Sequence, residues 1–254
     1  MSIGRDISIN HLELNSHILN SVNDVTDLGV TYDCRLSFSQ HIVNIVTKAH
    51  SRANLIVRCF VSKDVSSLLR AFTVFVRPIL EYCSAVWNPH LINDINAIEK
   101  VQRRLTKRLA GMNGLPYEQR LTKLGIDSLE VRRIRADLIF MYKIVFGLCE
   151  GVTRDNLFKM CSVHNYSRGH RYRVYLPVVK SSARYNFFSY RVLNSWNSLP
   201  NTTDFSSLAK FKTGLSTRML LRYCKVCLAW TIIAFRVSRC AVNVTYYQFV
   251  FIMF

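Results

Sequence analysis

The spacing of apolar residues changes character along the chain. At the start, Ile7, Ile9, Leu12 and Leu14 mostly alternate with polar residues, which predicts a strand. Asn15-Ser16-His17 reads as a turn, and Ile18 to Val22 and Val25 to Tyr32 read as two more short strands separated by Asn23-Asp24. Gly29, inside the last of them, predicts a bulge or the close approach of another backbone. From Ser37 the period lengthens. Phe38, Ile42, Ile45, Val46, Ala49, Ala53, Ile56 and Val57 fall three or four apart, the apolar stripe of a helix. Ser37-Phe38-Ser39-Gln40 has capping-box spacing at its start. A second helix is expected from about Val65 to Val86, kinked near Pro78 and stopped by Asn88-Pro89.

A third helix is expected from about Asp94 to Leu109, with Ile95, Ile98, Val101, Leu105 and Leu109 as its buried stripe and Gly111 and Gly114 at its end. A short helix from Tyr117 to Leu124 stops at Gly125. Ser128 then caps a helix carrying Val131, Ile134, Leu138, Met141 and Val145, closed by Gly147. Residues 150–186 are less regular, with a strand-like piece from Tyr172 to Val179. Phe187 to Trp196 and Ser206 to Leu215 read as helices. Beyond about Arg222 the chain turns aromatic and β-branched, and no acidic residue follows Asp204. Neither apolar piece of this tail reaches the roughly 18 uninterrupted apolar residues of a membrane span.

Composition adds a partner to this outline. The 254 residues carry 34 Lys+Arg against 16 Asp+Glu, a formal net charge of +18. Such an excess repels itself in a compact state and points to a polyanion, nucleic acid first and an anionic membrane second. Half of the residues are apolar, enough for a packed core and against wholesale disorder. The opening Met1-Ser2-Ile3-Gly4-Arg5-Asp6 has no apolar run, so an intracellular chain, nuclear or cytoplasmic, with reduced thiols is expected.

The order of several short motifs sharpens this picture. Asp27-Leu28-Gly29-Val30, Leu36-Ser37-Phe38-Ser39-Gln40-His41-Ile42, Arg77-Pro78-Ile79-Leu80-Glu81-Tyr82 and Val86-Trp87-Asn88-Pro89 come first. Ile98-Glu99-Lys100-Val101-Gln102-Arg103-Arg104, Leu121-Thr122-Lys123-Leu124-Gly125-Ile126, Leu129-Glu130-Val131-Arg132-Arg133, Arg168-Gly169-His170, Asn186-Phe187-Phe188-Ser189 and Trp196-Asn197-Ser198-Leu199-Pro200 follow. Together they resemble the reverse transcriptases of non-LTR, LINE-type retrotransposons of the jockey-like kind, over roughly Ile7 to Leu215. What is similar is the part beyond the catalytic palm. The resemblance therefore implies the end of a palm-like β element over 1–36, a helical thumb-like domain over 37–147 and a basic region over 148–216. An apolar tail over 217–254 has no counterpart in the family. The parent activity is RNA-directed DNA polymerisation, in which a palm aspartate pair holds two divalent metals. This sequence has no adjacent Asp-Asp, so no catalytic residue carries over. No cofactor is expected in this chain; the metals belong to the palm, which could be supplied in trans.

The fold expected is thus mainly α, a thumb-like helical bundle after a small antiparallel β element, with an irregular basic C-terminal region. Lys100, Arg103, Arg104, Lys107 and Arg108 crowd the polar faces of the third helix, and Arg132, Arg133 and Arg135 project from the fifth. A groove that tracks RNA or DNA by its phosphates, whatever the sequence, is one reading of this charge; a solvated helix face is the other. Arg168, Arg171 and Arg173 alternate with Tyr166, His170, Tyr172 and Tyr175, and Arg184 and Tyr185 follow. That mixture suits stacking and charge on a single strand, or an ordinary loop with half-buried tyrosines. Cys149, Cys161, His164 and His170 have metal-ligand chemistry but not the spacing of a zinc knuckle, and Cys224-Lys225-Val226-Cys227 is a lone pair. His41 and His50 read as structural, Trp87 and Trp196 as core anchors, and Glu81 as half of a buried ion pair. The reading from a different class is a helical structural protein tethered to a membrane by its apolar tail.

Overall fold

The structure is a computed structural model that describes residues 13–15, 17–18, 22–161 and 169–225. It is mainly helical, with small antiparallel β pairs at its start. β1 (Glu13–Leu14) pairs with β2 (His17–Ile18), and β3 (Asp24–Asp27) with β4 (Val30–Asp33). The stretch expected as one strand from Val25 to Tyr32 is therefore a hairpin. Asp27 faces Val30 across a two-residue loop in which Leu28 and Gly29 have φ of 46° and 81°. Positive φ at both positions gives the tight turn whose twist matches the strands, and it needs Gly29. The Tyr82 hydroxyl donates to the Leu28 carbonyl at 3.1 Å, so the hairpin leans on the helical part. Residues 7–12 of the first expected strand, and 19–21 of the next, lie outside the described residues.

α1 (Ser39–Cys59) starts one residue later than its capping-box spacing predicts, and its N-cap Phe38 makes no side-chain cap bond. Gln40 is turned to Asn44 instead, and Ser39 Oγ donates to Asp94 Oδ2 at 2.9 Å. The single kinked helix expected from Val65 is α2 (Val65–Phe75), α3 (Arg77–Glu81) and α4 (Ser84–Trp87). Pro78 sits in the first turn of α3, where its missing N–H costs nothing. The second break is at Cys83, whose φ of 56° is left-handed. Trp87 Nε1 donates to the Tyr82 carbonyl across that break at 2.7 Å, which satisfies a carbonyl that a continuous helix would have used.

α5 (Ile92–Lys107), α6 (Tyr117–Leu124) and α7 (Leu129–Val145) follow, with Gly125 in the left-handed conformation after α6. The Ser128 hydroxyl accepts the Val131 N–H and caps α7. Then come α8 (Arg154–Leu157), α9 (Ser182–Asn186), α10 (Phe188–Asn197), α11 (Leu208–Gly214) and α12 (Thr217–Leu220), with a 3-10 turn over Leu221–Tyr223. The strand-like piece from Tyr172 is reduced to one bridge between Met160 and Val174.

Two apolar clusters hold these elements. The first gathers Val30, Ile42, Phe72, Leu80, Trp87, Ile98, Leu105 and Leu129 around the packing of α1 on α5. The second gathers Val131, Leu138, Met141, Phe188, Trp196, Phe205 and Phe211. α7, read from sequence as part of the first helical unit, gives most of its buried face to the second. Trp87 and Trp196 have no exposed surface and anchor one cluster each. Among the described residues no helix is long and apolar enough to cross a membrane. The apolar tail after Lys225 lies outside them.

Candidate nucleic-acid interface

α5 buries Ile98, Val101 and Leu105 against the first cluster, and that sets where its charges go. Lys100, Arg104 and Arg108 are four apart and share one exposed line. This line runs beside α1. All three cations, after burial, push the pKa of His50 below its ordinary value of 6.5. Arg108 Nη1 donates to Asn54 Oδ1 of α1 at 2.7 Å. Lys48 and Arg52 of α1 are also exposed, as is Lys107. Among the described residues no carboxylate pairs with Lys100, Arg104, Lys107 or Arg108. The α1–α5 seam is therefore a strip of uncompensated positive charge on two rigid helices. Such a strip can neutralise successive phosphates without reading bases.

Arg103 is turned elsewhere. It is half-buried, with its guanidinium carbon 4.9 Å from the centre of the Tyr117 ring. Arg120 Nη1 holds the Arg103 carbonyl at 2.8 Å and Thr106 Oγ1 at 3.0 Å. Both arginines thus frame Tyr117. The Tyr117 hydroxyl donates to Glu99, whose carboxylate also accepts the N–H groups of Leu129 at 3.2 Å and Glu130 at 3.3 Å. Burial, then the charge of Glu99, pushes the Tyr117 phenol far above its usual range, so it stays a donor. These contacts set Arg103 in a cavity of about 390 Å³ between α5, α6 and α7.

The three arginines of α7 do not extend the strip. Arg132 grips Glu81 through two nitrogens, with Nη2 to Oε2 at 2.8 Å; Glu81 thus has an arginine partner, but the pair is half-buried rather than buried as expected. Arg135 pairs with Asp127, whose other oxygen accepts the Thr217 hydroxyl at 2.6 Å. Arg133, expected to project, is 2% exposed. Its neighbours in sequence hide this, but its spacing from Glu130, Asp137 and Met141 places it on the buried line of the helix.

The second basic stretch is pinned to α10. Trp196 Nε1 donates to the Tyr172 carbonyl at 2.7 Å, and Asn197 exchanges two hydrogen bonds with Val174 at 2.9 and 2.7 Å. The Tyr172 ring packs on Phe146 and Phe205, inside the second cluster rather than on an open face. Arg171 is exposed and stacks on Tyr172 at 4.9 Å, while Arg173 is half-buried beside Gly169. Tyr175 and Tyr185 are exposed. Arg168 and Tyr166 lie outside the described residues, as do His164 and Cys227.

His41 and His170 are both core residues. His41 Nδ1 accepts the Thr31 N–H at 3.3 Å, and its ring meets Trp87 edge-on. His170 Nδ1 accepts the Tyr172 N–H at 3.2 Å, so Nε2 carries the proton and donates to the Trp196 carbonyl at 2.9 Å. That use of both nitrogens leaves no lone pair for a metal. Among the described residues no group of three or more His, Cys, Asp and Glu side chains is placed to hold a metal ion.

Sequence reasoning passed over Arg191. Its guanidinium bonds both Asp137 oxygens at 3.0 Å and the Ala85 carbonyl at 2.7 Å, joining α10 to α7 and α4. No local signal marks it, because its partners are 54 and 106 residues away.

No family model matches this chain, and no solved structure matches it. It is similar to an uncharacterized protein of Caenorhabditis elegans, B0403.1, with 28% identity over 128 residues. The match takes in 49% of this chain and 65% of that protein, so the chain spans just under two thirds of its relative.

Proposed function

We propose that this chain is a sequence-indifferent clamp for RNA or DNA. We further propose that it is the thumb and post-thumb region of a non-LTR retrotransposon reverse transcriptase, whose palm lies on another segment. The observation that carries the first part is the α1–α5 seam. Lys100, Arg104, Lys107 and Arg108 stand exposed there, with no acidic partner among the described residues. A chain of net charge +18 that leaves these cations open gains most from a polyanion laid along them. The ordered motifs that resemble the family support the second part. Acting alone, the chain binds and does not polymerise.

The test is fluorescence anisotropy on duplex and single-stranded probes between about 50 and about 200 mM salt. Changing Lys100, Arg104, Lys107 and Arg108 together to Ala should weaken binding to every sequence alike. It should also make the slope of log K against log salt shallower by about 3 to 4 on duplex DNA. Arg154→Ala, on an exposed pair with Asp155, is the control and should change neither. An unaltered slope in the fourfold variant removes the seam as the binding surface. Restored primer extension when the chain is added to a palm-only fragment tests the family assignment, and failure to restore it counts against that assignment.

A further inference from the structure

We propose that the cleft bounded by α7, α10 and residues 222–225 is a binding site for a phosphate dianion, carried as free phosphate, a nucleotide monophosphate or a phosphorylated strand end. It is separate from the α5 strip and does not depend on it.

The cleft has a volume of about 300 Å³, at the small end for ligand sites. Arg133 lines it. This side chain is 2% exposed, yet Nε, Nη1 and Nη2 all lack a hydrogen-bond partner. A buried guanidinium without bonds is costly unless something fills its donors. The Tyr223 hydroxyl, on the opposite wall, is also buried and without a partner. Both residues with unmet polar groups line this one space.

The charges there favour an anion. Arg133, Arg191, Arg222 and Lys225 face Glu130 and Asp137. Asp137 is occupied by Arg191 through both oxygens, and Glu130 Oε1 accepts the Lys225 backbone N–H at 2.6 Å. Lys225 Nζ is held on the wall by the His90 carbonyl at 3.1 Å. Cations outnumber carboxylates on the cleft wall, although Glu99 and Glu81 also act on Arg133 from behind it. The fork of Arg133 matches two phosphate oxygens, and the Tyr223 hydroxyl can donate to a third. Tyr185 and Tyr190 pack ring to ring at the same cleft, 5.0 Å between centres, and offer an aromatic face beside the phosphate.

Calorimetry and thermal melting of the full chain test this with inorganic phosphate and a nucleoside monophosphate as probes. The expected result is one site per chain and a higher Tm on adding either. Tyr223→Phe combined with Arg222→Gln keeps the packing and should weaken binding by about tenfold or more. Arg133→Met should abolish it; if that variant does not fold by circular dichroism, the double variant decides alone. The fourfold α5 variant should bind phosphate like the wild type. A strand carrying a 5′-phosphate that binds better than its 5′-hydroxyl twin, with the preference lost in the double variant, identifies a nucleic-acid end as the source. Equal binding of the two strands, with the monophosphate still bound, identifies a free nucleotide. No heat and no Tm change with either probe overturns the proposal. So does binding that the double variant leaves undiminished.

Discussion

His50 shows how a single side chain reports on the surface around it. It is half-buried, and burial, then Arg104, Lys100 and Arg108, hold its pKa below 6.5. A depressed histidine pKa means that the unfolded chain takes the proton more readily. Its contribution to stability is therefore present above about pH 6.5 and is lost as pH falls through the folded value. His41, His90 and His170 are lowered as well, each first by burial. Thermal melting should accordingly show a falling Tm as pH drops below about 6.5. Nucleic acid on the seam raises the His50 pKa from that lowered value, because phosphates offset the three cations, while burial still holds it down. Affinity should then rise as pH falls below about 6.5, and His50→Gln should flatten that rise. An equal rise in the variant would place the bound strand away from α1. The charge of this surface was legible in the sequence; which charges were free was not. Lys100, Arg104 and Arg108 could be read as one line from their spacing. Arg132 and Arg135 could not be read as paired, because nothing local shows that the three-dimensional fold brings Glu81 and Asp127 to them.

At the scale of elements, the boundaries that depend on local chemistry were readable and those that depend on distant partners were not. α6 ends where Gly125 dictates, and α7 begins at Ser128 and ends before Gly147, since a left-handed stop and a hydroxyl cap act within one turn. The break at Cys83 has no such mark. Its left-handed backbone is held by Trp87 and Tyr82 and by the packing of Trp87 in the first cluster. α7 also has a second cap that the sequence conceals. Glu99, from the middle of α5, accepts the N–H groups of Leu129 and Glu130 and the hydroxyl of Tyr117. It is 3% exposed, so removing it strands those donors without water. Glu99→Ala should cost about 3 kcal/mol by chemical denaturation, against about 1 kcal/mol for Ser128→Ala. Equal costs for the two would mean that Glu99 is a passenger and that Ser128 alone sets the start of α7.

For the molecule as a whole, the question is whether two apolar clusters make one folding unit. They share α7, which gives Leu129 to the first and Val131, Leu138 and Met141 to the second. They share little else that is apolar. One polar tie between them is Asp137, buried on α7, which holds Arg191 of α10 and Asn88 beyond α4, the latter at 3.0 Å. Taking away one side of a buried ion pair leaves the other charge uncompensated, at a cost of about 3 to 5 kcal/mol. Arg191 would be the stranded partner, and it sits in the second cluster's helix. Asp137→Ala should therefore loosen the second cluster more than the first. Each cluster carries its own reporter, Trp87 in one and Trp196 in the other. In chain labelled with fluorotryptophan, fluorine NMR through a urea titration reads both without altering the core. The wild type should lose the folded resonances of Trp87 and Trp196 together, because α7 cannot leave one cluster without opening the other. In Asp137→Ala the Trp196 resonance should go first, at lower urea, with Trp87 following. Separate losses already in the wild type would show that α7 does not couple the clusters. Losses that stay together in the variant would show that α7 couples them without help from the ion pair.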